Sequence, residues 1–102
     1  MEVTLGPVQA IPEGEGRSFV VGDKRVAVFR NRQGRVFATQ AECPHRAGPL
    51  ADGLLGGDTL ICPLHSLKFD LGTGRSADGS CSLSIYPVRL SATGQIVIEL
   101  DG

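Results

Sequence analysis

The stretch that decides the fold and the site is CPHRAGPLADGLLGGDTLICPLH, which runs from Cys43 to His65. It holds both histidines of the 102-residue chain and two of its three cysteines. The pattern is Cys43-x-His45, sixteen residues, then Cys62-x-x-His65. Thiolate and imidazole bind iron, zinc and copper tightly, and a turn of backbone can present such a close pair to one point. The spacing therefore predicts a metal centre with four ligands from two loops.

Pro44 and Pro63 each follow a cysteine, where the fixed φ of proline stiffens a loop before metal binds. A lone cysteine is usually a small buried apolar residue, and a lone histidine is often a satisfied core or surface group. Two matched pairs in one stretch are poorly explained that way. A single Cys–His nucleophile would leave the second pair without a role. Spacing alone leaves an iron–sulfur centre and a tetrahedral zinc site both open.

The segments on either side of this stretch predict short antiparallel strands. RSFVV, RVAVFRN and RVFAT are separated by GDK and RQG, which indicates a β meander. Within it, Val26 and Val28 should face one side and Ala27 and Phe29 the other. Towards the end, LSIYPVRL and QIVIEL flank SATG and predict a hairpin in which Ile96, Ile98 and Leu100 share one face.

Residues 41–76 differ from these strands because they are broken up by glycine and proline. DTLI and LKFD predict two short strands leading to and from the second Cys–His pair, and AGPLADG allows one helical turn at most. The expected fold is all-β: a small antiparallel β sandwich, one domain over residues 1–102, with a loop-built cluster-binding insert at about 41–76. A chain of this length leaves little room for a second domain.

Composition excludes several classes of partner. The formal net charge is −1, so nothing favours nucleic acid or an anionic membrane. No segment approaches the length of a membrane span, and MEVTLGPVQA lacks the basic and apolar regions of a signal peptide. An odd number of cysteines argues against a disulfide scaffold. We therefore expect a cytoplasmic protein whose thiols are available for metal.

Cys43-Pro44-His45 with Cys62-Pro63-Leu64-His65 resembles the binding motif of Rieske-type [2Fe–2S] proteins. The resemblance extends over nearly the whole chain, through the β meander, FDLGTG and YPVRL with the final strand. It implies that Cys43 and Cys62 bind the inner iron and that His45 and His65 bind the outer, more exposed iron. All four protein positions are then filled, which implies electron transfer without a catalytic site of its own.

The resemblance also indicates which kind of Rieske protein to expect. High-potential members carry two extra cysteines that form a disulfide, and the matching positions here are Gly48 and Leu64. Their serine donor to the cluster sulfur is matched by Leu67. Without that donor the reduced, more negative state is less stabilised. We therefore expect a potential near the low end of the Rieske range, roughly −150 mV.

Two families of small Rieske proteins fit this description. One is the small subunit of NAD(P)H-dependent nitrite reductase, similar through CPHRAGPL and CPLHSLKFDLGTG and favoured by Cys81 shortly before YPV. The other is the ferredoxin component of ring-hydroxylating dioxygenase systems. Either implies redox protein partners, a reductase as donor and an oxidoreductase as acceptor. The residues favour the nitrite reductase type, with a structural zinc module as the alternative of another class.

A complete Rieske oxygenase is not expected, because it needs a second iron site and both histidines are already used.

The remaining apolar side chains have simpler predicted roles. Cys81 should be a buried thiol near the ligand loops. Phe69 and Tyr86 should be core residues. Three leucines should cover the cluster against water: Leu50, Leu54 and Leu55.

Overall fold

Ten β-strands and two short 3-10 turns account for the regular structure of the described residues. The computed structural model describes residues 1–43, 49–62, 67–79 and 81–100. The strands are β1 (Glu2–Pro7), β2 (Glu15–Val21), β3 (Lys24–Arg30), β4 (Val36–Gln40), β5 (Leu54–Gly56), β6 (Thr59–Ile61), β7 (Lys68–Asp70), β8 (Ile85–Tyr86), β9 (Val88–Leu90) and β10 (Gln95–Glu99). The turns are Val8–Ala10 and Leu50–Asp52. The predicted all-β antiparallel class is confirmed.

The middle sheet has the strand order β2-β3-β4-β8, with every pair antiparallel. Its first three strands are the meander predicted from the sequence. The β2–β3 connection is a two-residue turn in which Gly22 has a φ of +64°, a conformation that side chains with a Cβ rarely adopt. The register runs from Val21↔Lys24 at the turn to Glu15↔Arg30 at the far end.

A second sheet has the order β1-β10-β9, and its Ile96 and Ile98 pack with Val26 and Val28 on one face of the middle sheet. The predicted C-terminal hairpin is present, because β9 pairs with β10 from Leu90↔Ile96 to Val88↔Ile98. LSIYPVRL is not one strand, however. It divides at Pro87 into β8, which joins the middle sheet, and β9, which joins the second sheet. Proline has no amide hydrogen to donate to a ladder, so the chain can change sheets there.

The third sheet, which we call the small sheet, consists of β5, β6 and β7. DTLI and LKFD were predicted as strands, and they form β6 and β7. A two-residue turn joins β5 to β6, and its first residue, Gly57, has a φ of +59°. The second ligand segment, from Cys62 to Leu67, lies between β6 and β7.

Two separate cores form on opposite faces of the middle sheet. The aliphatic core contains Val8, Ile11, Val26, Val28, Ala38, Ile96, Ile98 and Leu100. The cysteine core contains Ala27, Phe29, Phe37, Cys43, Leu50, Leu60, Cys62, Phe69, Leu71 and Leu83. Strand β3 contributes alternate residues to the two, so the predicted faces of Val26, Val28, Ala27 and Phe29 are confirmed. Because both faces of β3 are covered, its interior is apolar throughout, as expected of a central strand.

Two other expectations concern the chain as a whole. Among the described residues, no helix is long and apolar enough to cross a membrane. The predicted single domain with an insert at 41–76 remains a prediction, since part of that insert lies outside the described residues.

Candidate metal centre

Cys43 and Cys62 come from different parts of the fold and meet in the cysteine core. Cys43 follows β4 by three residues, and Cys62 comes directly after β6. Their exposures are 2% and 1%, and both pack in the same apolar group of side chains. All three cysteines of the chain are thiols, with no disulfide among them. The structure thus brings the two predicted cysteine ligands into one buried, water-excluding environment.

Hydrogen bonds pin both ends of each ligand segment. The Leu50 amide donates to the Ala41 carbonyl at 2.9 Å, and Glu42 and Pro49 form an antiparallel bridge. The Cys62 amide donates to the Leu67 carbonyl at 2.9 Å. The described residues on either side of each gap therefore lie next to each other in the fold.

His45 and His65 lie in residues 44–48 and 63–66, outside the described residues. The same is true of Gly48 and Leu64, on which the expected absence of a disulfide between the loops rests. These four assignments remain predictions from the sequence.

Gln40 positions the first ligand segment, and sequence reasoning missed it. Its side-chain amide donates to the Glu42 carbonyl at 2.7 Å, and its side-chain oxygen accepts the Ser84 amide at 2.9 Å. Its backbone amide donates to the Ser84 carbonyl at 3.1 Å. Gln40 therefore links the chain entering Cys43 to the segment before β8. Its place three residues before Cys43 is the only sequence signal for this role.

The approach to Cys62 depends on a close backbone contact at Gly53. A Cβ at this position would lie 2.4 Å from the Ile61 carbonyl oxygen and 3.1 Å from the Leu50 carbonyl oxygen. Side-chain atoms do not approach backbone oxygen so closely. Only glycine lets the chain after the Leu50–Asp52 turn lie directly against β6, one residue before the cysteine.

The predicted leucine cover is correct in part. Leu50 is fully buried in the cysteine core, and Leu55 is half-buried against it. Leu54 was predicted to join them, but it is 72% exposed. Adjacent strand residues point to opposite faces, so when Leu55 packs inward Leu54 must point outward. Because both positions are leucine, the sequence does not show which of the two faces the core.

Cys81 and Tyr86 are less buried than expected, whereas Phe69 is buried as predicted. Phe69 is in the cysteine core as predicted, whereas Tyr86 is only half-buried, against the aliphatic core. Cys81 packs against the cysteine core, but it is half-buried rather than buried as predicted. Ser76 holds this part of the chain: its hydroxyl accepts the Cys81 amide at 3.1 Å and donates to Asp78 at 2.7 Å.

The donor chemistry of this site fits an iron–sulfur cluster. Thiolate is the usual protein ligand of such clusters, and an apolar surround limits solvent access to them. Two buried cysteine thiols in one core, each at the start of a pinned segment that carries a histidine in sequence, meet this requirement.

Comparison with known families agrees with this chemistry. The profile of the Rieske [2Fe-2S] domain matches residues 1–87. The chain belongs to this family. A Rieske-type [2Fe–2S] cluster is therefore its cofactor. Such a cluster takes up and releases one electron at a time, so this Rieske protein transfers electrons.

Individual relatives of this Rieske protein fall into two groups. The ferredoxin component of the naphthalene 1,2-dioxygenase system of Pseudomonas aeruginosa is 35% identical over 93 residues, 89% of this chain and 88% of the relative. The fold is similar to a protein assigned as the small subunit of an NADH-dependent nitrite reductase in Mycobacterium tuberculosis. The superposition has a TM-score of 0.91 at 23% sequence identity, and it covers 100% of this chain and 96% of the Mycobacterium tuberculosis chain.

A second similar structure comes from the complex of reduced oxygenase and oxidised ferredoxin in carbazole 1,9a-dioxygenase. Its TM-score is 0.80 at 28% identity, with 95% of this chain and 100% of that chain covered. The predicted likeness to nitrite reductase small subunits is confirmed at the level of fold, and the dioxygenase ferredoxins are similar in sequence as well.

Proposed function

We propose that Cys43, His45, Cys62 and His65 hold the [2Fe–2S] cluster, with the two cysteines on the inner iron. The burial of both thiols in the cysteine core supports this arrangement. With thiolates holding the buried iron and imidazoles the outer iron, the histidine side of the site would be the exit for electrons towards a docked partner. Residues 41–76 would then form the cluster-binding insert of a single domain.

We propose further that the protein is the ferredoxin component of an oxygenase system, carrying electrons from a reductase to the oxygenase. The observation that carries this is sequence identity. A naphthalene dioxygenase ferredoxin is 35% identical and a biphenyl dioxygenase ferredoxin subunit 36% identical, each over 93 residues. Both identities are higher than the 23% of the nitrite reductase small subunit, whose likeness supports the fold.

A second function, the small subunit of NAD(P)H-dependent nitrite reductase, is favoured by a different observation. The fold matches such a subunit over the whole chain with a TM-score of 0.91. Cys81 just before the YPV segment also agrees with that family's pattern. At 23% sequence identity this similarity supports the shared fold, and the identity of the redox partner must come from experiment.

The reaction with a partner distinguishes the two functions. The cluster-loaded protein is reduced and mixed, in separate stopped-flow experiments, with a ring-hydroxylating oxygenase component and with a sirohaem nitrite reductase subunit. Both are taken from reading frames adjacent to its gene where these exist. Rapid reoxidation by the oxygenase alone supports the ferredoxin role. Rapid reoxidation by the nitrite reductase alone overturns it and supports the second function.

A further inference from the structure

Asn31 is a buried polar residue whose role the electron-transfer function does not explain. It follows β3 at the start of the β3–β4 turn and is only 2% exposed. A buried amide must satisfy both its oxygen and its NH₂ group, because an unpaired one costs free energy. The partners of Asn31 therefore define what it holds together.

The oxygen of Asn31 organises its own turn. Oδ1 accepts the backbone amides of Gln33 at 3.0 Å and Arg35 at 2.9 Å. The Asn31 backbone amide donates to the Arg35 carbonyl at 2.9 Å. These two backbone donors identify which end of the side chain is the oxygen, so the NH₂ group must point the other way.

The NH₂ group of Asn31 reaches across to the small sheet. Nδ2 donates to the Gly57 carbonyl and to Asp58 Oδ1, each at 3.4 Å. Both acceptors belong to the turn between β5 and β6. These bonds are long, but their donor is nearly fully buried, and its NH₂ group would be left unsatisfied if both were lost.

The same turn is bonded to the far end of the small sheet. The Asp58 carbonyl accepts the Leu71 amide at 2.8 Å, one residue past β7. Asn31 thus contacts a point at which the start of β6 and the end of β7 come together. The ligand segment from Cys62 to Leu67 lies between the other ends of these two strands.

The β5–β6 turn also has an exposed ion pair, which is expected to stabilise it less than the buried Asn31 amide does. Arg35 forms an ion pair with Asp58 at 3.5 Å, with side-chain exposures of 66% and 47%. Exposed pairs of this kind contribute little, typically below about 1 kcal/mol. The buried amide is therefore the contact expected to hold the turn.

We propose that Asn31 is a positioning residue that clamps the small sheet onto the middle sheet and so limits cluster release. When the clamp opens, β6 and β7 separate from the middle sheet and water reaches the cysteine core, while the aliphatic core stays folded. The inference holds whichever redox partner the protein serves.

The test exchanges the two side chains of the clamp. Asn31→Asp keeps an acceptor for Gln33 and Arg35 but cannot donate to the β5–β6 turn, and it adds a charge beside Asp58. Asp58→Asn keeps an acceptor for Asn31. The double variant Asn31→Asp/Asp58→Asn restores a donor–acceptor pair with the direction reversed. Gln33→Ala is the control, because only the backbone of Gln33 takes part.

The first measurement is the decay of visible cluster absorbance in excess chelator at pH 8. Asn31→Asp should release the cluster about tenfold faster, which corresponds to about 1.4 kcal/mol in the opening equilibrium. Asp58→Asn, the double variant and the control should stay within about twofold of the parent. Equal rates in Asn31→Asp and the parent, or no recovery in the double variant, would overturn the proposal.

The second measurement separates a clamp from general stability. Hydrogen exchange at the Leu71 and Cys62 amides should become about tenfold faster in Asn31→Asp, with Val28 and Ile98 unchanged. Uniform acceleration at all four amides would instead mean a merely structural role. If Asn31→Asp accumulates without cluster, the double variant decides: loading with parental retention supports the clamp, and failure to load contradicts it. The ligand proposal is tested separately, by the potential of His45→Cys.

Discussion

At the scale of single residues, the site combines buried thiols with imidazoles that only the sequence identifies. Cys43 and Cys62 are buried in one core, which a sequence pattern can suggest but not demonstrate. His45 and His65 rest on the motif and its spacing. Substitution at a histidine is therefore the most direct test of the ligand set.

His45→Cys should keep a [2Fe–2S] cluster where it assembles, and lower its potential. A thiolate in place of a neutral imidazole adds negative charge, which opposes reduction. Full replacement of the histidines spans about −150 mV to about −400 mV, so one substitution should lower the potential by roughly 100 mV. Protein-film voltammetry measures the shift. An unchanged potential would contradict His45 as a ligand.

Leu67→Ser should raise the potential from its expected value near −150 mV. Leu67 is half-buried against the cysteine core, and its carbonyl accepts the Cys62 amide. A hydroxyl there could donate to the cluster sulfur and stabilise the reduced state. A hydrogen bond of about 1 kcal/mol corresponds to roughly 40 mV for one electron. Leu67→Ala, which adds no donor, is the control in the same redox titration, and an equal rise in both variants would refute the hydrogen-bond explanation.

At the scale of elements, the small sheet carries the second ligand segment and is held by close contacts. Gly53 permits the backbone approach to β6, and Gly57 permits the turn before it. These requirements are local, yet their consequence is the position of Cys62. The role of Gly53 cannot be assigned from the sequence, because the strand that it contacts is known only after folding.

Gly53→Ala should destabilise the loaded protein and speed cluster loss. The added Cβ would lie 2.4 Å from the Ile61 carbonyl oxygen, and overpacking of this kind costs about 1–3 kcal/mol. Gly56→Ala is the matched control, since a Cβ there meets nothing within 4 Å. Thermal unfolding, monitored by visible absorbance, should have a lower midpoint temperature in Gly53→Ala and an unchanged midpoint in Gly56→Ala. Similar midpoints for the two variants would show that the close approach is relaxed at little cost.

At the scale of the whole molecule, stability comes from two cores on either side of one sheet. The described ion pairs all join exposed side chains, for example Arg89 with Glu2 at 3.2 Å, and contribute little. Of the proposed ligands, the two that the structure describes, Cys43 and Cys62, lie in the cysteine core and not in the aliphatic core. It should therefore govern global unfolding rather than the potential.

Ile98→Ala should lower the free energy of unfolding by about 2–5 kcal/mol, because it removes a fully buried side chain from the aliphatic core. The reduction potential should stay the same, since Ile98 lies across the middle sheet from the cysteines. Val20→Ala is the control, because Val20 is 73% exposed. Urea unfolding and a redox titration on the same samples test both parts. A potential that moves with stability would mean that the two cores are not independent.

The sequence by itself determined the chemistry, the class of fold and most strands. Cys–His spacing is local information, and alternation along β3 and β10 reports burial directly, so both could be interpreted without a structure. Strand β1 was not predicted, because EVTLGP contains a bulge between Thr4 and Gly6 and is completed only by pairing with β10.

Only the tertiary structure decided which elements meet. It separated β8 from β9 at Pro87, turned Leu54 outward, and gave Gln40, Gly53 and Asn31 their roles. Each of these depends on a contact between residues distant in the chain, and no local pattern encodes such a contact. The ligands can be identified from their residue types and spacing. The residues that support the ligand segments carry no such signal, and their roles are recognised only from their contacts in the folded chain.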